Sequence, residues 1–375
     1  MKGFFYDTLL DEENICNLER EKKMLQQGVL QKKKFVVCGA RNTGKTSLVK
    51  NVVIPYFQKK HSKSFALFVD LMEVKSLESI HQRIQIGFES AFSSAFPAKN
   101  LVALTKQFLS QLRPEVSFDS LTGSPTLSLG ISRDKKSISF LEIFTIINKK
   151  ISKNMSVLLV LDEFQDIALI PEAQGLFRQA FQELRKIPLI LMGSKKHILS
   201  QLFAKPNAPL ASFGEDLEFE KIAYEVYHQY ISERFHFRKL KIDFPTAREL
   251  QDALFRIPES INIVCADLCE NHERKKIEPQ DIFQSIDHVL EKRRSRFEEW
   301  LSHFSEKEEE ILVALAKFGP IKHPTSQVFL KEIHSTARTI SLTISSFLDK
   351  SVIERNEEGF CIADPLLFYF LKKFR

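Results

Sequence analysis

Cysteine is scarce in this chain: five in 375 residues, at positions 16, 38, 265, 269 and 361. So small, odd and scattered a set excludes a disulfide framework and fits thiols in a reducing compartment. Cys265 and Cys269 stand one helical turn apart, but no histidine or second cysteine pair accompanies them at zinc-ligand spacing, so they read as small buried hydrophobes. Glycine (12) and proline (14) are too few for a collagen-like or low-complexity chain. No apolar run approaches the roughly 18 residues a membrane-spanning helix needs. The opening MKGFFYDTLLDEEN meets acidic residues before a signal-peptide core could form, which predicts a soluble, cytoplasmic protein. Tryptophan occurs once and tyrosine six times against 33 phenylalanines, which sit at apolar helix and strand positions and read as core. The ten histidines show no triad or metal spacing.

The length exceeds what one core usually holds and predicts two or three domains. A net charge of +6, from 54 basic and 48 acidic residues, permits nucleic-acid contact without requiring it.

Chemistry begins at residue 35. Phe35, Val36, Val37 and Cys38 form a short apolar strand, followed by Gly39, Ala40, Arg41, Asn42, Thr43, Gly44, Lys45 and Thr46, and then by helix-compatible residues from Ser47 onward. The spacing G-x4-G-K-T lets backbone N–H groups curl around a β-phosphate at a helix N-terminus. Lys45 would reach the β and γ oxygens, and the Thr46 hydroxyl would ligate Mg²⁺. A phosphate loop also needs a carboxylate for the metal and a base for the attacking water. The run 157–161 reads as a doubly buried parallel strand ending in Asp162 and Glu163, which suit metal and general base respectively. A third apolar run, 187–192, stops at Gly193-Ser194, where Ser194 either senses the γ-phosphate or lytic water or caps the helix that follows. Asp70, at the tip of a further strand over 65–70, reads as a loop or capping residue.

Around these motifs, 101–136 is an irregular insert with a hairpin arm at 126–132, and 137–153 carries apolar residues at helical spacing. A last strand is expected at 217–222, then a helical segment to about Leu290, a basic run (EKRRSR, 291–296) and a winged helix-turn-helix. In the latter, Ser305 opens one helix, 327–334 and 335–350 form two more, and arms at 352–354 and 360–362 flank a wing. Residues 301–375 hold ten Lys and Arg against ten Asp and Glu, which argues against strong autonomous DNA binding. DNA and protein both remain as partners for this module.

Together these residues resemble the AAA+-like archaeal ATPase family of the STAND class. The resemblance rests on GARNTGKTSL at 39–48, LLVLDEFQDI at 158–167, LILMGSKKHIL at 189–199, LFAKPNAPL at 202–210 and IADPLLFYFL at 362–371. It implies an α/β P-loop NTPase with a parallel sheet flanked by helices (1–215), an α-helical lid and basic linker (216–296) and a winged helix-turn-helix domain (297–375). It implies ATP and Mg²⁺ as cofactors, with the nucleotide at residues 39–47 and Pro258, the metal at Thr46 and Asp162, and Lys45, Glu163 and Ser194 in catalysis. The function implied is a slow or partner-stimulated ATPase working as a nucleotide-dependent switch. The alternatives are a DNA-binding regulator of replication-initiator or transposition type and a scaffold that binds ATP without turnover. Candidate partners are DNA, through the winged helix and basic linker, a protein, or further copies of the chain, with no membrane. Three departures stand out: Leu18 where the family has Arg, 211–216 without the usual Gly-Arg, and Arg256 in place of a glycine before Pro258. Arg178 or Arg185 could replace the missing arginine or be exposed helix residues. Arg256 reads either as a lid arginine or as a surface residue.

Overall fold

The computed structural model describes residues 3–96, 114–118, 125–129, 139–203, 208, 210–211, 213–271 and 275–375. The chain divides into two compact units, Leu9–Glu220, and Lys221–Arg375 together with Met1–Thr8.

The first unit is built on a five-stranded sheet. Its strands are β1 (Lys34–Cys38), β2 (Ser64–Asp70), β5 (Ser156–Asp162), β6 (Leu189–Gly193) and β7 (Glu215–Glu218), in the order β2-β5-β6-β1-β7. All neighbours run parallel. Alternation explains why both faces are covered. Leu67, Val69, Leu159, Leu161 and Leu191 point into one apolar core, while Phe35, Val37, Leu158, Val160 and Met192 point into another. The sheet runs to Glu218, past the expected boundary at 215, and the expected strand at 217–222 instead spans Glu215–Glu218.

Helices Glu19–Leu30, Leu77–Ala95, Phe140–Lys149 and Pro171–Glu183 flank this sheet, Phe140–Lys149 lying within the segment expected to be helical. The helix after the phosphate loop is α over Lys45–Leu48, widens into a π turn at Val49–Val53, and resumes as α over Ile54–Lys60. Pro55 explains the widening, because its ring would collide with the carbonyl of Asn51 in α geometry. Of the insert, β3 (Pro114–Phe118) and β4 (Pro125–Leu129) pair antiparallel, as the hairpin reading expects. Its other residues, and 204–207 and 209 of the 202–210 motif, lie outside the described residues.

The second unit is helical until its end. Tyr224–Phe237, Phe244–Ala253, Pro258–Asn271 and Pro279–Lys292 precede Arg294–Leu301. Then come helices Glu306–Phe318, Gln327–Glu332 and Ala337–Asp349, the antiparallel strands β8 (Ile353–Arg355) and β9 (Phe360–Ile362), and helix Pro365–Phe374. Ser305 and Glu308 close a capping box on the first of these helices. Asp364 caps the last, accepting the N–H groups of Leu366 at 2.8 Å and Leu367 at 3.3 Å. Among the described residues no helix is long and apolar enough to cross a membrane.

Candidate nucleotide site

Parallel register brings the chemistry to one rim. Cys38 pairs with Gly193 and Asp70 with Asp162, so the carboxyl ends of β1, β6, β2 and β5 lie side by side. In open α/β sheets that edge is where ligands bind. The phosphate loop leaves β1 there. Its turn depends on Gly44 at φ 87, a left-handed conformation that glycine adopts without steric cost. Gly39 is pressed by Phe219, whose Cβ would stand 2.7 Å from any Cβ added at 39.

Lys45 is 5% exposed and its ammonium donates to the carbonyls of Gly39 at 2.7 Å and Ala40 at 2.6 Å. Burial pushes its pKa down, while the carboxylates of Glu163 and Asp162 pull it the other way. A cation stripped of water and held by neutral carbonyls exchanges them favourably for phosphate oxygens, whose hydrogen bonds are charge-assisted at both ends. The hydroxyl of Thr46 donates to Oδ2 of Asp162 at 2.7 Å. Burial raises the pKa of Asp162, and the Thr46 hydrogen bond offsets part of that shift. A desolvated carboxylate beside a hydroxyl is a hard-oxygen pair suited to Mg²⁺, which takes one or two protein ligands and fills its shell with water and phosphate. The residues present therefore fit the metal.

Glu163 has φ 49, left-handed backbone in a non-glycine residue. Such strain persists where surrounding contacts enforce it. Its Oε2 accepts the Ser194 hydroxyl at 2.9 Å and the Gln165 amide at 2.5 Å. The Ser194 hydroxyl is thus engaged by Glu163. Asp70 accepts the N–H of Met72 at 2.9 Å, the loop role expected for it.

The other expected residues divide. Ala40, Arg41 and Asn42 are exposed along the loop, and Thr43 donates to the carbonyl of Ala40 at 2.8 Å. Ser47 is buried and accepts the N–H of Leu10 at 3.1 Å, which fastens the preceding segment to the phosphate-loop helix. Pro258 belongs to the other unit, where it opens a helix and its carbonyl accepts the Tyr227 hydroxyl at 3.1 Å. Arg178 and Arg185 are both exposed.

The departures acquire physical reasons. Leu18, where the resemblance expects arginine, is buried in the apolar cluster that includes Leu25 and Val49. Arg256 has φ 60, the left-handed geometry that the usual glycine would supply. Its guanidinium lies 4.3 Å from the centre of the Tyr224 ring and donates to the carbonyl of Ile222, so it is anchored within its own unit.

The sequence places Gln165 and Gly193 inside the 158–167 and 189–199 motifs, but local pattern assigns neither a role. Gln165 is 1% exposed and also accepts the N–H of Ser194 at 3.3 Å. A Cβ on Gly193 would stand 2.2 Å from the Gln165 carbonyl oxygen. The available signal was a glutamine between two buried apolar residues, Phe164 and Ile167.

Among solved structures the chain is similar to a Walker-type ATPase of Pyrococcus abyssi, with 15% identity over 98% of this chain and 99% of that one and a TM-score of 0.63. The fold is that of a P-loop ATPase. The chain is also similar to the ORC2 protein of Aeropyrum pernix (13% identity, 96% of each chain, TM-score 0.54). A third similar structure is the ORC1 protein of the same organism in complex with DNA (12% identity, 99% of this chain and 95% of that one, TM-score 0.53). Residues 295–373 match the family described as "Probable winged helix domain", so this ATPase fold carries a winged helix at its end. No curated protein matches the sequence.

Proposed function

We propose that this chain binds ATP with Mg²⁺ and hydrolyses it slowly or on stimulation by a partner, as a cytoplasmic nucleotide-dependent switch. The observation that carries the reading is the convergence, on one sheet rim, of Lys45, the Thr46–Asp162 pair and Glu163 held by Ser194. Lys45 binds the β and γ oxygens, and Thr46 and Asp162 hold the metal, which when bound neutralises phosphate charge. Glu163 takes the proton of the attacking water, and Ser194 orients it. In support of slow turnover, Arg178 and Arg185, the arginines that could replace the missing one within this unit, are both exposed among the described residues. A second copy of the chain supplying one would make the active form a homo-oligomer.

The winged helix gives the switch its output. Its helix Ala337–Asp349 exposes Arg338, Thr339, Ser341 and Leu342. Much of the basic run is engaged internally: Arg293 pairs with Asp7 at 3.1 Å, Lys292 with Asp267 at 3.1 Å and Arg294 with Glu298 at 3.8 Å. This favours protein docking, or DNA contact of modest electrostatic strength. The likeness to an ORC1 protein solved with DNA supports the second reading, a DNA-binding regulator of initiator or transposition type in which ATP locks the gripping state.

The test is phosphate release by the wild type and Glu163→Gln, with labelled-ATP binding followed alongside and Lys45→Ala as binding control. Turnover lost in Glu163→Gln with binding intact is the expected result. Wild-type binding without turnover would leave a conformational lock or scaffold, and no binding at all would overturn the reading.

A further inference from the structure

We propose that Gln165 is the positioning residue for Glu163, and that Asp166 fixes it by tying it to the loop after β2; the inference rests on Glu163 acting as the base. The Gln165 amide has one arrangement that satisfies its surroundings. Its Nε2 faces two carboxylates, donating to Glu163 at 2.5 Å and Asp166 at 3.2 Å, while its Oε1 accepts the N–H of Ser194 at 3.3 Å. Flipping the amide would set its oxygen against both acids and its NH₂ against an N–H, so the orientation is determined. Burial makes the arrangement rigid, since a buried amide that loses its partners is costly.

Asp166 is held in turn from two sides. Its Oδ2 accepts the N–H of Glu73 at 2.8 Å, from the loop that follows β2, and its Oδ1 faces the Lys195 ammonium at 3.4 Å. The carboxylate of Glu163 therefore takes its orientation from β6, through Ser194, and from the β2 loop, through Asp166 and Gln165. Gly193 has no room for a side chain because the Gln165 carbonyl occupies that space. Gln165 touches no reacting atom on this account. It acts through Glu163.

The test uses the full chain. Gln165→Met keeps the volume and removes the hydrogen bonds. It should lower kcat about tenfold to a hundredfold, the scale of a misplaced catalytic group, with KM for ATP within threefold of wild type. Combined with Glu163→Gln it should lower kcat no further than Glu163→Gln alone, because both changes disable one group. If thermal melting shows that Gln165→Met does not fold, Gln165→Asn carries the same test, because it keeps a neutral amide but is one methylene too short to span Ser194 and Glu163 together. A kcat within twofold of wild type in the folded variant, or a loss that adds fully to that of Glu163→Gln, would overturn the inference and leave hydrolysis by Glu163 standing. A wild type that binds ATP without releasing phosphate would instead overturn the catalytic reading of Glu163, and this inference with it.

Discussion

Thr46 and Asp162, 116 positions apart in the chain, meet in a hydrogen bond of 2.7 Å across the rim of the parallel sheet. The contact joins the start of one helix to the end of β5 and brings together the two oxygen donors that suit a magnesium ion.

Asp162→Asn should therefore abolish the effect of Mg²⁺ on ATP binding while leaving metal-free binding close to wild type, as titration with and without a chelator would show. The same variant should melt a few degrees higher than wild type at pH 7 without nucleotide. The sign follows from burial, which raises the folded-state pKa of Asp162 above its ordinary 3.8. The stability linked to this group is complete below that value and is lost as pH rises through the folded-state titration. The difference between the two proteins should accordingly disappear near pH 3.5.

Gly193→Ala introduces a methyl group 2.2 Å from the Gln165 carbonyl oxygen and 2.8 Å from Leu199. The Gln165 amide has to move, releasing Glu163. Destabilisation of about 1–3 kcal/mol in denaturant unfolding is expected, as for overpacking elsewhere. Phosphate release should fall at least tenfold.

Gly359→Ala should damage the wing alone. Gly359 has φ 138, and an added Cβ would stand 2.4 Å from the backbone of Ile321, next to the bridge between Ile321 and Phe360. Hydrogen exchange should accelerate at the amides of Ile321 and Phe360, while ATP turnover keeps its wild-type rate.

Any DNA binding by the winged helix should depend weakly on salt. Arg338 is the sole basic residue of the helix Ala337–Asp349, and the wing tip carries Glu357 and Glu358. Log affinity against log salt should have a slope no steeper than about −3, and Arg338→Ala should lower its magnitude by about 1. A slope near −8 would show that basic residues outside this helix make the contact.

Much of this architecture was legible because its signals are local. The phosphate loop, the apolar run ending at Asp162 and Glu163, the Ser305 cap and the wing are each written in a dozen consecutive residues, and they fold where that pattern puts them. What could not be read locally depends on partners distant in sequence. The order of strands is one case, since nothing in the run 189–193 says that it lies between β5 and β1. Gln165 is another, because its role is defined by Ser194, 29 positions away, and by Glu73, 93 positions from Asp166. The last strand shifted because Phe219 and Ile222, apolar enough to suggest continued pairing, are buried beyond its end at Glu218.

Phe219 has one more consequence. It covers Gly39, donates its N–H to the carbonyl of Cys38 at 2.7 Å, and is separated from the second unit, which begins at Lys221, by Glu220 alone. The phosphate loop is thus closed from behind by the residue that ends the β7 side of the sheet, so the turn at Gly39 and the end of β7 share one packing contact.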